Sequence, residues 1–207
     1  MQTISHTYEA EFREKGSKFI CILLPCNTAD EATSALDSIR FDHPSATHHC
    51  YAFRVNPNEP EELSQDDGEP SGTAGIPILN TLRAANLMNC TAVVVRYYGG
   101  TKLGKSGLIQ AYGRAVELAV EKASLKQLLP VSRYVILYPY SQQTVLEKLR
   151  HTFNLFEVSA DYTDSVKIVL DCPQQDTVSF EKYLNEVEHL LTHWKKTGVA
   201  SQIVANP

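Results

Sequence analysis

The sequence predicts an α+β chain of two consecutive domains. Three observations predict it. Apolar residues alternate at a period of two in some segments and recur at three and four in others, the signatures of strands and helices. The 207 residues accommodate one or two cores, and an apolar content of 43% is ordinary for them. Leu128-Leu129-Pro130 separates two rhythms, which puts the domains at residues 1–128 and 129–207.

The elements follow in order. Ile4, His6, Tyr8, Ala10 and Phe12 alternate with polar neighbours as in a half-buried strand. After the turn Lys15-Gly16-Ser17, residues 18–24 read as a more buried strand. Thr28 or Asp30 caps a helix with the stripe Ala32, Ala35, Leu36 and Ile39, which ends near Asp42-His43-Pro44 because a residue before proline avoids the helical region. Residues 49–55 form a third strand. Asn56 to Pro60 reads as a loop that continues into the acidic, glycine-rich run Asp66-Asp67-Gly68-Glu69-Pro70-Ser71-Gly72-Thr73-Ala74-Gly75. A helix spans 76–87 with Pro77 in its first turn, a buried strand spans 91–97, and a long helix runs from Lys105 or Ser106 to Ala123.

The second half reads as a strand over 131–138, a helix from Ser141 to about Arg150, strands over 155–162 and 166–172, a helix over 174–191 and a last strand over 198–204. That β-α-β-β-α-β order is the split βαβ pattern of ferredoxin-like domains.

Composition narrows the function. No run reaches the roughly 18 apolar residues of a spanning helix, and Met1-Gln2-Thr3-Ile4-Ser5-His6 is no signal peptide; a cytoplasmic location without membrane contact is expected. Five cysteines, an odd number with no paired spacing, read as buried reduced thiols. Cys50 follows His48-His49, but no second cluster completes a zinc set. The net charge of −5 is unevenly spread. Residues 57–75 carry six acids and no base, whereas residues 76–128 carry seven bases against two acids. Such polarity either steers a charged partner or is only a solvated helix face beside an acidic loop.

Two loops flanking one apolar strand carry the chemistry. Arg96, Tyr97, Tyr98 and Lys102 combine phosphate-neutralising donors with rings that stack on unpaired bases. Gly99, Gly100 and Gly104 let backbone N–H groups approach an anion ahead of the helix opening near Lys105. The alternative is a tight strand-to-helix crossing with a tyrosine packed inside. The spacing matches neither a Walker A loop nor a dinucleotide fingerprint. In the acidic loop, Asp66, Asp67 and Glu69 have three readings: capping the next helix, pairing with Arg96 or Lys102, or holding Mg²⁺. No cofactor is expected; Mg²⁺ is the one candidate. Gly68, Ser71, Gly72 and Thr73 complete that loop, and no base is spaced to make Ser71 or Thr73 a nucleophile. His48 and His49 alternate across a strand, so one faces the side of Tyr51 and the other can line the loops. In the second half, Trp194-Lys195-Lys196 is a small basic-aromatic spot, and Tyr162 and Phe153 read as core aromatics.

The acidic loop, the run Ala92-Val93-Val94-Val95-Arg96-Tyr97-Tyr98-Gly99-Gly100, then Leu103-Gly104 and Ala111-Tyr112, resemble the YigZ/IMPACT family. The preceding His43-Pro44 and His48-His49-Cys50-Tyr51-Ala52 match it too, so the motifs span residues 43–113. Gln65 stands where a serine is usual, and Ser106 where another glycine is common. The resemblance implies a first domain like the second domain of ribosomal protein S-five. It implies a second domain similar to the last domain of elongation factor G. It implies a link to translation or RNA, eukaryotic members looking like translation regulators that act by protein contact, and it implies no reaction. The expected function is therefore a binding protein for RNA, the ribosome or translation factors that regulates translation in stress or initiation without catalysis. The rival is an enzyme acting on a small phosphorylated or peptide-like substrate, an anionic ligand, between the two loops; a third reading is a protein-interaction module.

Overall fold

A computed structural model describes residues 1–204. The chain divides into two compact units. The first spans Met1–Leu128, joined by Ile203 and Val204, and the second spans Leu129–Gln202. The last three residues of the expected second domain, 205–207, lie outside the described residues.

In the first unit the elements are β1 (Gln2–Thr3), β2 (Tyr8–Glu14), β3 (Ser17–Pro25), α1 (Ala29–Asp42), β4 (His48–Val55), β5 (Glu61–Gln65), α2 (Gly75–Ala84), β6 (Cys90–Tyr97) and α3 (Gly104–Lys122). Five strands form an antiparallel sheet in the order β2-β3-β6-β4-β5. Its two faces follow from strand parity. Phe19, Cys21 and Leu23 of β3, Cys50 and Ala52 of β4, and Cys90, Ala92 and Val94 of β6 pack with α2 and α3. The alternate residues Ile20, Val93 and Val95 pack with Leu36 and Ile39 of α1. With helices on both faces, β6 is buried from Cys90 to Val95, which is why it reads as a continuous apolar run.

The observed elements depart from the expected ones in places. Glu61–Gln65 is a strand, not loop, pairing with β4 from Tyr51↔Gln65 to Val55↔Glu61. Its sequence, EELSQ, has little strand propensity; an edge position with one neighbour tolerates it. The alternation starting at Ile4 becomes a strand only from Tyr8, although Ile4 itself is buried. Thr28 rather than Asp30 caps α1, its Oγ1 accepting from the Glu31 amide at 3.2 Å.

β7 (Lys126–Tyr138) begins in the first unit, where its opening residues pair with β1; Pro130 lies inside this strand rather than between elements. In the second unit β7 is followed by α4 (Gln143–Thr152), β8 (Phe156–Tyr162), β9 (Val166–Pro173), α5 (Thr177–Glu186) and β10 (His193–Val204). The sheet order β8-β9-β7-β10 is that of a split βαβ domain. Tyr134, Ile136, Leu146, Leu149, Ile168 and Phe180 centre its core. Phe153 packs there against Phe180, but Tyr162 is 60% exposed and is no core residue. Trp194 packs against Tyr134, and Lys196 pairs with Glu181, so that spot serves its own fold. No helix among the described residues is long and apolar enough to cross a membrane.

Candidate functional site

The loop between β5 and α2 and the loop between β6 and α3 meet on the helix-bearing face defined by α2 and α3. Register explains why. His48 of β4 and Phe19 of β3 flank Arg96 of β6 as direct cross-strand partners, so all three side chains share one face with Tyr98, two residues further on. The acidic loop then crosses above them. Asp67 and Gly68 both sit at positive φ, 44° and 85°, and the Glu69 amide donates to the Asp66 carbonyl at 2.9 Å. This is the reversed turn that an Asp-Gly pair favours. It delivers Glu69 to Arg96.

Between the loops lies a cleft of about 500 Å³. His48, Glu69 and Arg96 line one part of it, and Tyr98, Lys102, Gly104 and Lys105 another. Pro70 and Leu103, which lie within the quoted motifs, and Thr47 and Leu108, which the motifs did not single out, complete the walls. Leu103 and Leu108 lie at the start of the apolar stripe of α3, the signal that could have found them.

Arg96 is not a free donor. It is 4% exposed. Its guanidinium donates to Glu69 at 2.5 Å and to Ser17 at 3.3 Å and lies 5.3 Å and 5.4 Å from the ring centres of Phe19 and Tyr98. Glu69 also accepts from the Tyr112 hydroxyl at 2.7 Å, and Cys50 donates to that hydroxyl at 3.3 Å. Burial, then Cys50 and Glu69, raise the Tyr112 phenol far above its ordinary range. Burial likewise pushes up the Cys50 thiol, so neither supplies a ready nucleophile.

The acidic residues diverge. Asp66 accepts from the Gly72, Ala74 and Gly75 amides at 2.8–3.0 Å. Burial opposes its charge, but these donors outweigh burial and hold the carboxyl below its ordinary range; it caps α2. Asp67 accepts from Arg40 at 2.9 Å and from the His49 amide at 2.6 Å. Only Glu69 pairs with the second loop. No three His, Cys, Asp or Glu side chains converge as a metal-ligand set among the described residues, so this geometry does not fit the Mg²⁺ reading of the three acids. Thr73 is buried, its hydroxyl donating to the Pro70 carbonyl at 2.6 Å. Ser71 is exposed outside the cleft lining.

The remaining candidates separate by parity and packing. Tyr97 points to the face of α1, hydrogen-bonded to His43 at 2.9 Å, so it is not part of the cleft. His49 faces the same way; its Nε2 donates to the His43 carbonyl at 3.2 Å, and burial lowers its pKa. His48 faces the cleft. Its Nδ1 lies 2.8 Å from the Asp67 carbonyl, which can only accept, so Nδ1 carries the proton and Nε2 is left 3.8 Å from Glu69. Gly99 is a packing residue, because a Cβ there would come 1.9 Å from the Gly16 carbonyl carbon. Gly100, at φ 86°, lies outside the lining.

Most of the basic stretch is answered internally. Arg83 pairs with Glu62, which also holds Arg54 of β4, Arg114 pairs with Glu117 and Glu121, and Lys122 donates to the Glu9 carbonyl. Lys102 and Lys105 make no ion pair or hydrogen bond among the described residues, and both are exposed on the cleft. α3 opens beside them with no side-chain cap and no acidic residue in its first turn.

Sequence comparison adds kinship. The family model described as the Impact N-terminal domain matches residues 15–120. The chain is 36% identical over 172 residues to "IMPACT family member YigZ" of Escherichia coli, covering 82% of this chain and 84% of that one. It is 33% identical over 187 residues to "IMPACT family member YvyE" of Bacillus subtilis, covering 89% and 85%. Among solved structures, the crystal structure of a hypothetical protein superposes with a TM-score of 0.64 at 29% identity, covering 100% of this chain and 97% of that one.

Proposed function

Because this chain belongs to the IMPACT family, we propose that it is a translation-linked binding protein that engages RNA or a ribosome-associated partner through the cleft of its first unit. The observation that carries this reading is the pair Lys102 and Lys105, unanswered by acids at the uncapped start of α3, with the exposed ring of Tyr98 on the same cleft. Lysines and a helix N-terminus attract phosphate, and an exposed tyrosine offers a face to an unpaired base. The translation link itself rests on the family resemblance. Arg96 takes a supporting role: paired with Glu69, it fixes the floor and holds Tyr98 in place.

The test is a titration of the full chain with single-stranded RNA at several salt concentrations, compared with Lys102→Ala/Lys105→Ala. The variant should bind more weakly at every sequence and show a salt slope shallower by about one to two units, since each lost phosphate contact removes roughly 0.7 from the slope on single strands. Unchanged affinity and slope would remove the cleft from the reading. A second reading, turnover of a small phosphorylated substrate, is favoured by His48, whose bare Nε2 beside Glu69 has the form of an acid–base group. Product formation from a small phosphate ester that is lost in His48→Gln would select it.

A further inference from the structure

The cleft holds more positive charge than the protein itself answers. Arg96 and Glu69 cancel each other on the floor. Lys102, Lys105 and the uncapped first turn of α3 leave an excess of about two to two and a half charges. An internal phosphodiester brings a single negative charge, whereas a phosphate monoester brings about 1.5 to 2 near pH 7. A cavity of about 500 Å³ falls within the roughly 300–1,000 Å³ of small-ligand sites and suits one nucleotide rather than a duplex. Independently, Arg96 Nε is buried without a hydrogen-bond partner beneath this cavity. It is a donor whose acceptor the described residues do not supply.

We propose that the cleft seats a phosphate monoester carried by a single nucleoside, either the phosphorylated end of an RNA chain or a free mononucleotide. The phosphate lies at the start of α3 between Lys102 and Lys105. The base rests on Tyr98. His48, its Nδ1 proton committed to the Asp67 carbonyl, offers Nε2 as acceptor to a ribose hydroxyl. This deepens the RNA-binding reading and rests on it for the RNA source of the nucleotide.

Calorimetric titration of the full chain tests it with four probes: a five-nucleotide uridine oligomer with a 5′-phosphate, the same oligomer with a 3′-phosphate, the oligomer with hydroxyls at both ends, and uridine monophosphate. At least one phosphorylated oligomer should bind about tenfold tighter than the hydroxyl form, as a charge-assisted contact allows. Lys102→Ala/Lys105→Ala should abolish that difference, and Tyr98→Ala should weaken the mononucleotide and the phosphorylated oligomer alike. Equal affinity for all three oligomers overturns the inference while leaving RNA binding intact. Binding of the mononucleotide without any oligomer keeps the phosphate seat and removes RNA as its source. No binding of any probe overturns both.

Discussion

Glu69 is the residue on which the cleft floor depends. It is buried and receives both the Arg96 guanidinium and the Tyr112 hydroxyl. Breaking a buried pair leaves an uncompensated charge, a loss of about 3–5 kcal/mol. Glu69→Gln should therefore lower unfolding free energy by about that much in guanidinium titration, and the double change Glu69→Leu/Arg96→Met should cost less than Glu69→Gln alone. Gly99→Ala forces a methyl group into the Gly16 backbone and should cost about 1–3 kcal/mol or more by the same measurement. Strand parity carries part of this at single-residue level because it assigns faces, although the motif reading grouped Tyr97 with Arg96 and Tyr98 where parity separates them. Counting by two from Val94, which belongs to the helix-facing core, puts Arg96 and Tyr98 on the cleft side and Tyr97 opposite. What sequence could not show was that Arg96 spends its charge on Glu69, 27 residues away, since that depends on the path of the intervening turn.

At the scale of elements, the entrance to α2 joins the acidic loop to the fold. Asp66 supplies the cap that no residue of α2 provides. Its carboxyl is held below the ordinary range in the folded state, so its stabilisation is fully present above the unfolded value, about 3.9, and is lost as pH falls through the lower folded value. Asp66→Asn should thus be less stable than the parent at pH 7, by about 1 kcal/mol for a lost cap, and the difference should shrink below about pH 4 in urea melts at stepped pH. The long helices and buried strands were legible from periodicity, and the start of α3 was placed within a residue or two. β5 was not, because an acidic edge strand with one apolar residue, Leu63, looks like loop until its partner β4 is known.

Across the whole molecule, Arg83, Arg96 and Arg114 of the basic stretch spend their charge on internal ion pairs, and of the lysines left without one, Lys102 and Lys105 meet on one cleft. Every residue lining that cleft falls within 47–108, inside the first unit. A core lesion in the second unit should therefore cost stability without touching recognition. Phe180→Ala, truncating a fully buried ring, should cost about 3–5 kcal/mol yet leave RNA affinity unchanged at temperatures where the variant is folded. The two-unit layout was readable from the change of rhythm near Pro130, but the strand that runs through that point was not, since proline reads as a boundary and is tolerated in sheets only at special positions. Photocrosslinking of bound single-stranded RNA, with adducts mapped by mass spectrometry on the full chain, tests most directly where RNA rests. The cleft predicts adducts on the peptide carrying Tyr98 and Lys102, lost when both Lys102 and Lys105 are alanine. Adducts confined to the second unit, such as at Trp194-Lys195-Lys196, would contradict it.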